Sequence, residues 1–104
     1  MNRYRVDVSE PAEQDLLDIA KYITVELSAP MSALGIVEML DDGMRSLRNN
    51  PKRHALVRND RLAAKGYRAL PAKNYLIFYK VDEQAQVVDI VRILHGRRDW
   101  GNLL

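Results

Sequence analysis

The sequence predicts an α+β fold: a helical hairpin packed on a mostly antiparallel sheet, in the order β-α-α-β-β-β. Three observations carry this expectation. A short alternating segment opens the chain, two stretches of helical apolar spacing follow it, and from Gly66 the apolar period becomes two. At 104 residues, 47% of them hydrophobic, the chain is expected to form one domain, residues 1–104, around one modest core.

Each element has its own reason. Arg3-Tyr4-Arg5-Val6-Asp7-Val8 places Tyr4, Val6 and Val8 on one face and reads as a strand. Ser9 is the expected N-cap of the first helix, Pro11 fits its first turn, and Glu10 and Glu13 sit where the helix dipole favours acids. Ala12, Leu16, Ile19, Ala20 and Ile23 recur at helical spacing, and this helix is expected to fade near Leu27-Ser28-Ala29-Pro30. Ser28 or Pro30 opens the second helix, whose apolar stripe is Ala33, Ile36, Val37, Leu40, Met44 and Leu47. Asn49-Asn50-Pro51 ends it, because proline bars the residue before it from helical geometry.

The segment from Pro51 to Lys65 is polar and basic, with a short strand or turn expected near Leu56-Val57. Tyr67 to Leu70 reads as a strand and Pro71-Ala72-Lys73 as its turn. Asn74 to Val81 is the strongest strand signal, Asp82 to Ala85 a hairpin turn, and Gln86 to Leu94 the last strand. On that strand a simple alternation groups Val87, Asp89, Val91, Ile93 and His95 on one face. The helix pair is expected to cover one face of the sheet and to leave the other, beside the basic loop, open for binding.

Composition narrows the function. The chain has no cysteine, which excludes disulfides and thiolate metal ligands. No apolar run approaches the ~18 residues of a membrane span, and the N-terminus lacks a secretory apolar region, so a soluble cytoplasmic protein without membrane contact is expected. Residues 1–50 carry a charge balance of −4 and residues 51–104 one of +6. Basic charge gathered in one half fits either a solvated face or a surface for phosphates or an acidic partner. The two histidines, 54 and 95, lack metal-ligand spacing, so no metal and no cofactor are expected.

The residues able to carry chemistry are few. Arg68 shares a strand face with Leu70; its guanidinium suits an edge ion pair or a clamp on two phosphate oxygens. His95 ends the last strand, where it closes a strand or exchanges a proton near neutral pH. His54 lies in the basic loop beside Lys52 and Arg53. Two histidines with these cations and with Arg97 and Arg98 would suit RNA cleavage. One group takes the 2′-hydroxyl proton, another protonates the leaving oxygen, and cations stabilise the charge on phosphorus. Tyr75 and Tyr79 share a face and are core residues or a base-stacking platform. Asp99 is placed to pair with Arg97 or Arg98, and Trp100, Leu103 and Leu104 are expected to fold back onto the core.

The tandem of GYRALPAKNYLIFYKV and VVDIVRILHGRRDW, after the opening strand and the acidic helix AEQDLLDIAKYI, resembles the RelE/ParE superfamily of bacterial toxins over nearly the whole chain. The resemblance implies the toxin half of a type II toxin–antitoxin pair, held inactive by a cognate antitoxin; a free sheet face and a basic half would suit an antitoxin that is acidic or folds on binding. RelE-like members cut mRNA in the ribosome, and ParE-like members poison DNA gyrase without being nucleases. By position, Arg68 and His95 match residues of the RNA-cleaving branch, and Lys52, Arg53 and His54 lie where its members carry basic residues. The resemblance therefore implies Arg68, His95 and His54 as catalytic, with Lys52, Arg53, Lys73, Tyr75, Arg97 and Arg98 binding RNA or another target. Ribosome-dependent mRNA cleavage is the expected activity, and gyrase inhibition the alternative.

Overall fold

In the computed structural model, which describes residues 3–104, strands β1 (Arg5–Val8), β2 (Arg68–Ala72), β3 (Tyr75–Asp82) and β4 (Val87–His95) form one sheet in the order β1-β4-β3-β2. The last three strands are an antiparallel meander, and β1 lies parallel to β4. The expected architecture is present.

Between β1 and β2 runs the helical hairpin, α1 (Glu10–Lys21) and α2 (Pro30–Ser46). Ser9 caps α1 as its sequence position predicts: its Oγ accepts from the Ala12 N–H at 3.1 Å. One π-helical turn, Tyr22–Glu26, extends α1 before the chain reverses. Ser28 makes the reversal with a positive φ of 49°. The apolar stripes of both helices meet one sheet face, where Ala12, Leu40 and Met44 pack with Ile77, Tyr79, Val88, Ile90 and Ile93. Gly43 lets α2 approach closely, since a Cβ there would lie 3.2 Å from Ile77 Cδ1.

The opposite sheet face is not open, contrary to expectation. Two short helices, α3 (Asp60–Ala64) and α4 (Trp100–Leu103), cover it. Val57, Leu62, Tyr67, Phe78 and Leu94 form a second small core there, joined by Trp100, Leu103 and Leu104. The Phe78 and Trp100 rings lie 5.3 Å apart between centroids. The apolar C-terminus thus folds back as its composition predicts. The bridge between Leu56 and Arg68 supplies the short pairing expected near Leu56-Val57.

Simple alternation fails on β4. Phe78 pairs with Arg92 but Tyr79 pairs with Ile90, so Val91 is an extra residue in a β-bulge. The bulge flips the parity: Val88 and Ile90 face the helices together with Ile93, while Val91 and Leu94 face the second core. It lies where β1 ends. Beyond the Val8–Ile90 pair, Ser9 continues the ladder by donating its N–H to Ile90 O at 3.0 Å and its Oγ to Val91 O at 2.8 Å. The β2 strand also runs further than expected, to Ala72, and the turn narrows to Lys73-Asn74, where Lys73 adopts a φ of 54°. Among the described residues, no helix is long and apolar enough to cross a membrane.

Candidate functional site

The structure sorts the candidate residues into two groups at opposite ends of the sheet. The first gathers around the short 3₁₀ turn Pro51–Arg53, which follows α2. Arg68, at the start of β2, donates from Nη1 to the carbonyls of Lys52 (3.3 Å) and His54 (2.7 Å). The Tyr79 hydroxyl donates to the Pro51 carbonyl. Arg53 turns back onto the end of α2, where its Nη1 meets the Ser46 and Asn50 carbonyls, both at 3.2 Å, and its Nη2 the Ser46 Oγ at 3.0 Å. A cation at a helix C-terminus satisfies carbonyls that lack intrahelical partners. Lys52 pairs with Glu83 at 3.1 Å, and Glu83 also accepts from the Tyr4 hydroxyl. The basic loop is therefore held by its own cations.

His54 belongs to this group, and its imidazole is turned inward. Its Nε2 is buried and has no hydrogen-bond partner. Burial first, and the nearby Arg53 charge second, push its pKa below the ordinary value. Both effects favour the neutral imidazole of His54.

The second group lies where β3 and β4 meet the end of α1. A cleft of about 510 Å³ opens there, lined by Asp18, Tyr22, Leu27, Tyr75, His95 and Arg98 among others. His95 pairs across the sheet with Tyr75, and the two rings meet edge to face at 5.6 Å. The Arg97 N–H donates to His95 Nδ1 at 3.1 Å. That bond leaves Nε2 as the nitrogen free to meet a ligand. Burial raises the Tyr75 pKa, with a smaller contribution from Tyr22, so its phenol stays protonated. Tyr79 differs from Tyr75 in being wholly buried. Arg97, Arg98 and Lys73 are exposed. Asp99 pairs with neither arginine in the structure; its Oδ2 accepts from Asn102 Nδ2 at 2.6 Å.

The two groups do not meet. Arg68 is opposite Tyr79, whereas His95 is opposite Tyr75, itself opposite Ala72. Four residues along the strands and two strands across place the Cα atoms of Arg68 and His95 roughly 17 Å apart. Arg68 is turned onto the Lys52 and His54 carbonyls, away from the His95 group.

Sequence reading passed over the residues that shape the second group. Asp15 binds Arg92 through two bonds, Nε to Oδ2 at 2.7 Å and Nη2 to Oδ1 at 2.8 Å. Both side chains are largely shielded, and the hydrogen bonds that Arg92 donates to Asp15 push the Arg92 pKa up. A signal existed: Asp15 interrupts the apolar stripe of α1, and Arg92 interrupts the apolar run of β4. A charge inside each of two apolar patterns implies a partner.

Comparison with known proteins adds the family. The model of the ParE toxin of the type II toxin–antitoxin system, parDE, matches residues 6–100. A chain of the chromosomal ParDE system from P. aeruginosa superposes with a TM-score of 0.73 at 20% identity, covering 89% of this chain and 96% of that one. A chain of the RelBE2 toxin–antitoxin complex from Mycobacterium tuberculosis gives 0.61 at 21% identity, over 89% and 98%. A mutant of the E. coli toxin RelE in the free state gives 0.66 at 14% identity, over 97% and 92%. These likenesses establish the shared fold. No curated protein sequence matches this chain.

Proposed function

This chain belongs to the ParE toxin family of type II toxin–antitoxin systems, and we propose that it arrests growth by binding DNA gyrase and not by cutting RNA. One observation carries the choice: the two histidines fall in separate groups, His54 beside the 3₁₀ turn with its Nε2 buried and His95 at the end of β4. General acid–base cleavage needs two groups within hydrogen-bond reach of one phosphate. Arg68 and Arg53 are engaged by backbone carbonyls, and His54 Nε2 is buried. A binding protein needs no convergent acid and base. It needs a shaped, charged surface, which the exposed Arg97, Arg98 and Lys73 supply. A cognate antitoxin is the partner that holds it inactive.

Induced expression of the toxin alone tests this. DNA-damage signalling with continued early amino-acid incorporation is the expected result. A prompt stop of translation with new codon-phased mRNA ends would overturn it.

RNA cleavage is the second reading, and one observation favours it. His95, its Nδ1 held by the Arg97 N–H, lines a cleft together with Tyr75 and Arg98. In that reading His95→Gln abolishes toxicity while the chain still folds and binds its antitoxin.

A further inference from the structure

A second depression, of about 500 Å³, lies on the sheet face that the helical hairpin does not cover, between segment 53–58 and α4. Its apolar lining is Leu56, Ala69, Pro71, Leu76, Phe78 and Trp100. The shape has a cause in the sequence. Ala69 pairs with Phe78, and Pro71 with Leu76. On this face β2 therefore sets short side chains beside long ones on β3, and the surface dips toward the β2 edge. Trp100, packed on Phe78, forms one wall and Leu56 another. Leu56 is 44% exposed, and among the described residues it is the single large apolar side chain exposed outside positions 17–34. A lone exposed leucine is ordinary, but one at the lip of an apolar trough extends that trough.

Charge specifies what fills it. Arg53 and Arg58 line the trough, and no carboxylate does. Arg58 is exposed and meets no carboxylate among the described residues. In segment 51–61, Lys52 is paired with Glu83, and Arg53, Arg58 and Arg61 outweigh Asp60. Asp99, beside Trp100, is bonded to Asn102. An apolar trough with a cationic rim fits an apolar side chain flanked by carboxylates.

Other occupants fit less well. A second copy offering the same trough would set Arg58 against Arg58 across a two-fold axis, which repels. Single-stranded nucleic acid needs aromatic faces for its bases. Here Phe78 is wholly buried, Trp100 leans on it, and the rest of the apolar lining is aliphatic.

We propose that this trough is where the toxin holds its protein target, and that it takes a leucine or aromatic side chain which gyrase presents between aspartates or glutamates. The inference rests on the gyrase reading and adds the contact through which it acts. Leu56 and Trp100 close on the anchoring side chain. Water excluded around that anchor strengthens the pairing of its flanking carboxylates with Arg58. The exposed Arg97, Arg98 and Lys73 steer the approach, and the trough supplies the anchor point.

Fluorescence anisotropy of the labelled full chain, titrated with purified gyrase, tests it. The double variant Leu56→Asp, Arg58→Glu is expected to bind at least about tenfold more weakly, with an unchanged circular dichroism spectrum because both side chains are exposed. Arg58→Glu alone, which leaves the apolar lining intact, is expected to weaken binding severalfold, the deficit shrinking as salt rises. Leu17→Asp, on the hairpin across the sheet, is expected to bind like the wild type. Undiminished binding by either Arg58→Glu or the double variant would overturn the trough as the contact and leave the gyrase reading standing. Failure of the wild type to bind gyrase would overturn that reading, and gyrase as the occupant with it. Binding of a single-stranded RNA oligonucleotide that the double variant loses would give the trough to nucleic acid and overturn the proposal.

Discussion

Arg92 and Asp15, 77 positions apart in sequence, meet in a two-pronged ion pair that ties the last strand to the first helix. Asp15 Oδ2 also accepts the Ile93 N–H at 2.9 Å, and Arg92 Nη1 donates to the Leu103 carbonyl at 3.3 Å. One pair thus caps the β4 backbone beyond the end of β1 and holds α4 in place.

Removing one partner leaves the other charge shielded and unpaired. Asp15→Ala is expected to cost about 2–3 kcal/mol in urea unfolding, below the full penalty of a deeply buried pair because both groups keep some solvent contact. Arg92→Ala should cost a similar amount. The double variant should cost clearly less than the two losses combined, because the second change removes a charge already stranded. Strict additivity would show that the pair is not coupled.

Trp100 supports the second core through Phe78. Trp100→Ala is expected to destabilise the chain by about 2–3 kcal/mol, less than for a fully enclosed aromatic. Hydrogen exchange should speed up in residues 100–104 before it does in α1 or α2. Unchanged exchange there would mean that α4 is held by Arg61 and Arg92 alone, through their bonds to the Gly101 and Leu103 carbonyls.

His54 makes stability depend on pH. Its folded pKa is lowered by burial and by Arg53 from the ordinary 6.5. Below about pH 6.5 the unfolded chain takes up a proton that the folded chain resists, so this contribution is full above that pH and lost on acidification. The melting temperature should fall between about pH 7.5 and about pH 5.5, and His54→Gln should flatten that part of the fall. An unchanged slope in the variant would assign the acid sensitivity to other groups.

Lys73 separates binding from backbone strain. Its φ of 54° is costly for a residue with a Cβ. Lys73→Gly should therefore raise stability by about 0.5–1 kcal/mol in denaturant unfolding. A lower stability would show that the Lys73 side chain makes a compensating contact. If Lys73 also meets the target, the same variant loses toxicity while gaining stability.

Much of the fold was legible because it is periodic. Apolar spacing marks both long helices and all four strands, and Ser9, Pro11 and Pro51 mark their ends. The bulge at Val91 was not legible, since it lies where Ser9 meets β4 in space. Helices of five and four residues, α3 and α4, are too short to show a period, so the covering of the second face was missed. Of the candidate site, the pairing of His95 with Tyr75 needs register, and the engagement of Arg53 and Arg68 by carbonyls needs coordinates. Residue type alone marked them as cations near histidines, which is true of the sequence but not of one site in space.

Supercoiling of relaxed plasmid by purified gyrase, with the purified toxin titrated in, tests the central claim most directly. The account predicts saturable inhibition, with ribosome-bound mRNA left intact by the same preparation. Full supercoiling at saturating toxin, with cuts appearing in the mRNA, would contradict it and return His95 and its cleft to the centre of the chemistry.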